Sequence, residues 1–142
     1  MKILFVCRAN IFRSQIASAL FENLSEGHEI RSAGTMVSEK SEGQKLYEKK
    51  DREIELIIDV MNEEGIDVRD RERHLLNEKM VDWADKVICM AERNTIPEYL
   101  LQSGKMEYWQ IEDSSAGSDY DFFVETKDRI KKKVEKLIEE IS

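Results

Sequence analysis

The chain has 142 residues, 41% of them hydrophobic and 37% charged, with a net charge of -8 at pH 7. That length fits one domain spanning residues 1–142, and the apolar fraction is enough for a packed core, which excludes a disordered chain. The negative balance disfavours nucleic acid or an anionic membrane as a partner, and no apolar run nears the roughly 18 residues of a membrane span.

The chain has two cysteines, Cys7 and Cys89, each inside an apolar run. They form no disulfide framework and suit a reducing compartment, so a cytoplasmic location is expected. The apolar run at the N-terminus stops at Arg8, too early for a secretory signal.

In chain order, Ile3 to Val6 reads as a buried strand, followed by a polar loop. Ile16, Ala17, Ala19, Leu20 and Leu24 then fall on one helix face. Glu29 to Ala33 is a second strand candidate, closed by Gly34. Gly43 to Glu64 reads as one long helix, with Leu46, Ile54, Ile57, Ile58 and Met61 spaced for burial and Gly65 as its C-cap. A shorter helix is predicted over Leu75 to Trp83, a third strand over Lys86 to Met90, and a short helix over Thr95 to Gln102. Lys105 to Ile111 is the fourth strand. Glu112 to Asp119 is a polar loop, and Asp121 to Ile141 closes the chain as an amphipathic helix. This alternation predicts an α/β fold: a four-stranded parallel sheet with helices on both faces. Right-handed crossovers place the C-terminal ends of all strands on one edge, where ligands bind in such sheets.

The chemistry concentrates in Cys7-Arg8-Ala9-Asn10-Ile11-Phe12-Arg13-Ser14, between the first strand and the first helix. A loop so placed can wrap a phosphate with backbone N–H groups, and the following helix adds its positive end. Arg13 can grip two oxygens through its planar fork. The same field would supply a thiolate at Cys7. A Cys and an Arg six residues apart are a weak signal alone; the strand before and the helix after strengthen it. Neither His28 nor His74 has a partner at metal-ligand spacing, so no metal and no other cofactor is expected.

The neighbourhood resembles the low-molecular-weight protein tyrosine phosphatases. They carry V-C-x-G-N-x-C-R-S-P after their first strand, where this chain has Val6-Cys7-Arg8-Ala9-Asn10-Ile11-Phe12-Arg13-Ser14-Gln15. Arg31-Ser32-Ala33-Gly34-Thr35 is similar to the family's S-A-G-T, Gly65-Ile66-Asp67 to its G-I-D, and Asp85 to Met90 to its D-x-I-x-x-M strand. Ile111-Glu112-Asp113 is similar to the segment before its D-P pair. The resemblance spans nearly the whole chain and implies the phosphate-binding loop after strand one, formed by Arg8, Ala9, Asn10, Ile11, Phe12, Arg13 and Ser14. It implies Cys7 as nucleophile, Arg13 as phosphate clamp and Asp113 as general acid. It further implies that Asn10, Ser14 and Ser32 support the loop, Asn10 in an unusual backbone conformation and Ser14 hydrogen-bonded to the thiolate. The implied partners are a phosphorylated protein or a small aryl phosphate, with inorganic phosphate as product and a monomer or weak dimer as the assembly.

Four positions depart from the family pattern: Ala9 for Gly, Phe12 for the second loop Cys, Gln15 for Pro, and Ser114 for the Pro after the general acid. Ala9 is harmless only with negative φ. Ser114, with Ser115-Ala116-Gly117 behind it, is expected to leave the acid loop looser. An aliphatic residue at the Ile11 position goes with the family's tyrosine-type branch, a small polar one with its phosphoarginine branch. The expected function is therefore phosphate monoester hydrolysis of the tyrosine-phosphatase type, through a cysteinyl-phosphate. One alternative is a phosphate-binding or regulatory module with weakened catalysis. Another is an arsenate reductase, which needs two further cysteines where this chain offers only Cys89.

Overall fold

The computed structural model describes residues 1–142. Strands β1 (Lys2–Cys7), β2 (Glu29–Gly34), β3 (Lys86–Cys89) and β4 (Met106–Tyr108) form one parallel sheet in the order β2-β1-β3-β4. β1 lies inside the sheet, and Ile3, Leu4, Phe5 and Val6 are completely buried. Its alternate residues serve two cores. Ile3, Phe5 and Cys7 join one apolar cluster, Leu4 and Val6 the other. This explains the unbroken apolar run: a strand covered on both faces has no solvent side to make polar.

Helices α1 (Arg13–Leu24), α2 (Arg52–Glu63) and α5 (Tyr120–Ile141) pack on the Cys7 side. Helices α3 (Glu78–Trp83) and α4 (Glu98–Leu101) cover the other face. The α/β class, the four parallel strands and the helices on both faces agree with the sequence reading.

Several bounds differ from it. The predicted helix over residues 43–64 is helical only from Arg52, with a single 3-10 turn at Leu46–Glu48 before it. Asp51 stops it by capping the N–H of Ile54 at 3.0 Å. Upstream, Gly43 has φ +79°, and the N–H groups of Gly43, Leu46 and Tyr47 donate to the carbonyls of Arg73, Arg71 and Arg69. Tertiary hydrogen bonds take the donors that a helix would use. Leu46 is nevertheless fully buried, which is why the apolar spacing looked continuous. Gly65 ends α2 with φ +77°, and the Ile66 N–H returns to Met61. The predicted helices over 75–83 and 95–102 and the strand over 105–111 are shorter, with Asn77 capping α3.

Candidate active site

The C-terminal end of β1 runs into residues 8–12 and then into α1. Three of the other helices begin with a side-chain cap, from Asp51, Asn77 and Asp119. By contrast, α1 has Phe12 at its N-cap position, with no side-chain cap and no acidic residue in its first turn. No N–H group from Arg8 through Gln15 donates to a protein acceptor. The carbonyls of the same loop are held from outside. Thr35 N–H donates to Cys7 O at 2.9 Å and Met36 N–H to Arg8 O at 2.8 Å. The Arg73 guanidinium reaches Ala9 O at 3.2 and 3.3 Å, and the Gln15 amide reaches Asn10 O at 3.1 Å. The peptides are thus oriented with their donors unspent, the arrangement of an anion nest.

Two local features make this conformation possible. Asn10 is the one non-glycine residue with positive φ, at 54°, which Asn tolerates better than most residues. Ala9 is not in that region, so its methyl group costs the backbone nothing. Gly34 is required by space: a Cβ there would lie 2.6 Å from Arg8 O and 2.9 Å from Asn10 N. β2 can end against the loop only because that side chain is missing.

A hydrogen-bond relay runs beneath the loop. His74 N–H donates to Asn10 Oδ1 at 2.8 Å and thereby sets the amide so that Nδ2 faces Ser14 Oγ at 2.7 Å and Ser32 Oγ at 3.1 Å. Ser14 Oγ accepts from Asn10, so its own hydrogen is free for Cys7 Sγ, 3.0 Å away. Gln15, in the family's Pro position, is buried and fully occupied, on the Asn10 and Glu72 carbonyls and the Arg71 guanidinium.

Arg13 joins this loop to the opposite side of the site. It is 2% exposed. Nη1 donates to the carbonyls of Met90 and Ile111, and Nη2 donates to Glu92 Oε1 at 2.8 Å and lies 3.2 Å from Asp113 Oδ2. Nε is the one buried side-chain nitrogen or oxygen in the chain without a partner. Burial works against the Arg13 charge, but Cys7, Glu92 and Asp113 outweigh it and hold the guanidinium above its ordinary value. Burial pushes the Asp113 carboxyl up, against the pull of Arg13, and the Glu92 charge adds to the rise. Burial also acts on Glu92, but the Arg13 hydrogen bond prevails and leaves that carboxyl below its ordinary value.

The structure thus brings Cys7, Asn10, Arg13, Ser14, Ser32 and Asp113 together, with Arg8 close enough to act on Asp113 and Glu92. The side chains of Ile11 and Phe12 belong to the core instead, Phe12 edge-on to Phe123 at 4.8 Å, so these two can meet an anion through their amides. The acid loop is less free than its composition suggested. Ser114 Oγ donates to the Glu53 carboxylate, and Arg52 donates to Ser118 O at 3.0 Å. Asp119 is the cap of α5. Sequence reasoning missed Glu92 and Arg73. Each touches the loop from a distant element, and only the E-R-N after the D-x-I-x-x-M strand could have drawn attention to the first.

A parallel α/β sheet with a cysteine at the base of an amide-lined loop defines a class, the cysteine-dependent phosphatase-like folds. A family model described as low molecular weight phosphotyrosine protein phosphatase matches residues 2–142, and the chain belongs to that family. It is 31% identical over 144 residues to a glutaredoxin arsenate reductase of Synechocystis sp., covering 99% of this chain and 98% of the relative. It is 38% identical over 90 residues to a protein-arginine-phosphatase of Geobacillus stearothermophilus, covering 63% of this chain and 53% of that protein. Among solved structures, the low molecular weight protein tyrosine phosphatase of T. tengcongensis is 27% identical, with a TM-score of 0.78 and 99% of each chain covered.

Proposed function

We propose that the protein hydrolyses phosphate monoesters through a cysteinyl-phosphate. The observation that carries this reading is the set of amides from residues 8–15, together with Arg13 Nε, all without a protein acceptor at the base of which Cys7 sits. Those donors match the equatorial oxygens of a phosphoryl group in transfer. Cys7 Sγ attacks phosphorus and the ester oxygen leaves. Asp113, kept protonated more readily by burial, gives that oxygen its proton and then takes one from the water that cleaves the thiophosphate. Ser14 donates to the sulfur as it regains negative charge.

The tyrosine-type substrate is the first reading, from the family and from aliphatic Ile11. A second reading, phosphoarginine, has its own observation. Glu92 and Asp113 both lie against Arg13, and Glu112 lines the same hollow as Asp113; carboxylates so placed suit a guanidinium leaving group better than a phenol. An arsenate-reducing disulfide relay is disfavoured. Cys89 lies in the core on the other face of the sheet, and burial pushes its thiol up to about 11.

The test is release of inorganic phosphate from p-nitrophenyl phosphate, then from phosphotyrosine and phosphoarginine peptides. Turnover of the aryl ester that is lost in Cys7→Ser supports the hydrolase, and the peptide ratio selects between the two substrates. Phosphate binding without turnover of any of the three identifies a binding module instead.

A further inference from the structure

Arg73 lies outside the phosphate-facing surface of the loop, on the segment between α2 and α3. It is 7% exposed, and every contact of its guanidinium is to a neutral oxygen: Ala9 O through Nε and Nη2, and Gln44 Oε1 through Nη1 at 2.7 Å. A buried cation without a carboxylate partner is costly and calls for a compensating anion. Burial holds the Arg73 guanidinium below its ordinary value, and the charges of Cys7 and, from a distance, Asp51 offset that only in part.

The contact with Ala9 has a geometric consequence. In a trans peptide the C=O and the following N–H point in opposite directions. A guanidinium that fixes the Ala9 carbonyl on the outside therefore fixes the Asn10 N–H on the inside. The neighbouring residue reinforces this, since His74 N–H holds the Asn10 side chain. Of the four groups that grip carbonyls 7–10, two are backbone amides of the Gly34 turn and one is a neutral amide. Arg73 alone carries charge.

We propose that Arg73 is a positioning residue for oxyanion binding: from behind the loop it turns the Asn10 N–H toward the bound phosphate and places a buried positive charge that the phosphate dianion neutralises. This rests on the phosphate-binding reading above. Its reach is separate, because Arg73 touches neither the nucleophile nor the ligand.

The experiment measures inorganic phosphate affinity, the kcat and KM for p-nitrophenyl phosphate, and the Asn10 amide resonance with and without phosphate. The proteins are wild type, Arg73→Met, Arg73→Lys and Gln44→Leu. Arg73→Met should weaken phosphate binding roughly 10- to 100-fold, the range for loss of charged hydrogen bonds. The phosphate-induced shift of the Asn10 amide should disappear in it while that of Arg8 persists. Arg73→Lys keeps the charge without the double grip and should recover part of the affinity. Gln44→Leu, at a half-buried position, should give a smaller loss of the same sign and tests the idea even if Arg73→Met fails to fold. Unchanged phosphate affinity and an unchanged Asn10 shift in a folded Arg73→Met, or in Gln44→Leu when Arg73→Met is unfolded, would overturn the assignment. A wild type that binds no phosphate would remove the phosphate-binding reading and this one with it.

Discussion

The loop of residues 7–14 and the loop of residues 111–119 face each other across Arg13, and they are held by different means. The first is held carbonyl by carbonyl, with backbone amides of the Gly34 turn, Arg73 and Gln15 each taking one. The second is held by side chains: Asp113 to Arg13, Ser114 to Glu53, and Arg52 to Ser118 O. Two of those grips, from the Thr35 and Met36 amides, are backbone bonds that survive most substitutions, because the donors belong to every residue. Side-chain ties are lost one mutation at a time. The chain's departures from its family fit these ties. Ala9 and Gln15 are absorbed without strain or an unmet polar group. Ser114 replaces the family's proline with a different restraint, a hydrogen bond to α2.

Cys7→Ser separates the two regions most sharply. It should lower turnover by on the order of 10⁴-fold or more, as loss of a nucleophile does, while phosphate affinity stays within a few-fold of wild type. Phosphate-release assays and equilibrium titration check the two halves of the statement. Arg13→Ala strikes both regions at once. It removes the unpartnered Nε donor from the anion and leaves Glu92 and Asp113 facing each other without their cation. A loss of about 10³-fold in kcat/KM is expected, with weakened phosphate binding as well.

Asp113→Asn should act on the second region alone. Esters with poor leaving groups should slow by roughly 100-fold, and p-nitrophenyl phosphate much less. A plot of rate against leaving-group acidity would detect this, and equal losses for all esters would assign the proton to another group. The pH profile sharpens the same point. Turnover of poor leaving groups needs Asp113 protonated, so it falls as pH rises through the Asp113 value. Burial shifts that limb to higher pH than an ordinary aspartate would give. Glu92→Gln removes a charge that raises Asp113 and frees Arg13 to lower it, so the limb should move to lower pH. The smallest effect is expected for Ser114→Ala, a few-fold loss confined to poor leaving groups. If that variant matched Asp113→Asn, the tie to Glu53 would be what positions the acid.

The fold and the first loop were legible because each leaves a local mark. A strand buried on both faces reads as Ile3-Leu4-Phe5-Val6, and the break in periodicity after Cys7 marks the loop. The residues around 43–50 were misread because a core position recruits an apolar side chain whatever backbone carries it; Leu46 is buried beside a 3-10 turn. Arg73 and Glu92 left no local mark. Their partners, Ala9 and Arg13, lie 64 and 79 residues away, and a charged residue in sequence looks the same whether solvated or buried. The tether of Ser114 to Glu53, 61 residues apart, escaped for the same reason.

The placement of the two cysteines on opposite faces of the sheet also determines how the site meets oxidants. A peroxide that reaches Cys7 makes a sulfenic acid, and in this chain no thiol stands near enough to capture it as a reversible disulfide. Phe12 fills the position beside it with an aromatic ring packed on Phe123. The oxidised sulfur then has two fates: reduction by a small thiol that enters from solution, or further oxidation to sulfinic acid, which is permanent for most proteins. A phosphate seated over the sulfur would block both. On the proposed reading an occupied site shields the sulfur, and the protein should be most vulnerable to peroxide when idle.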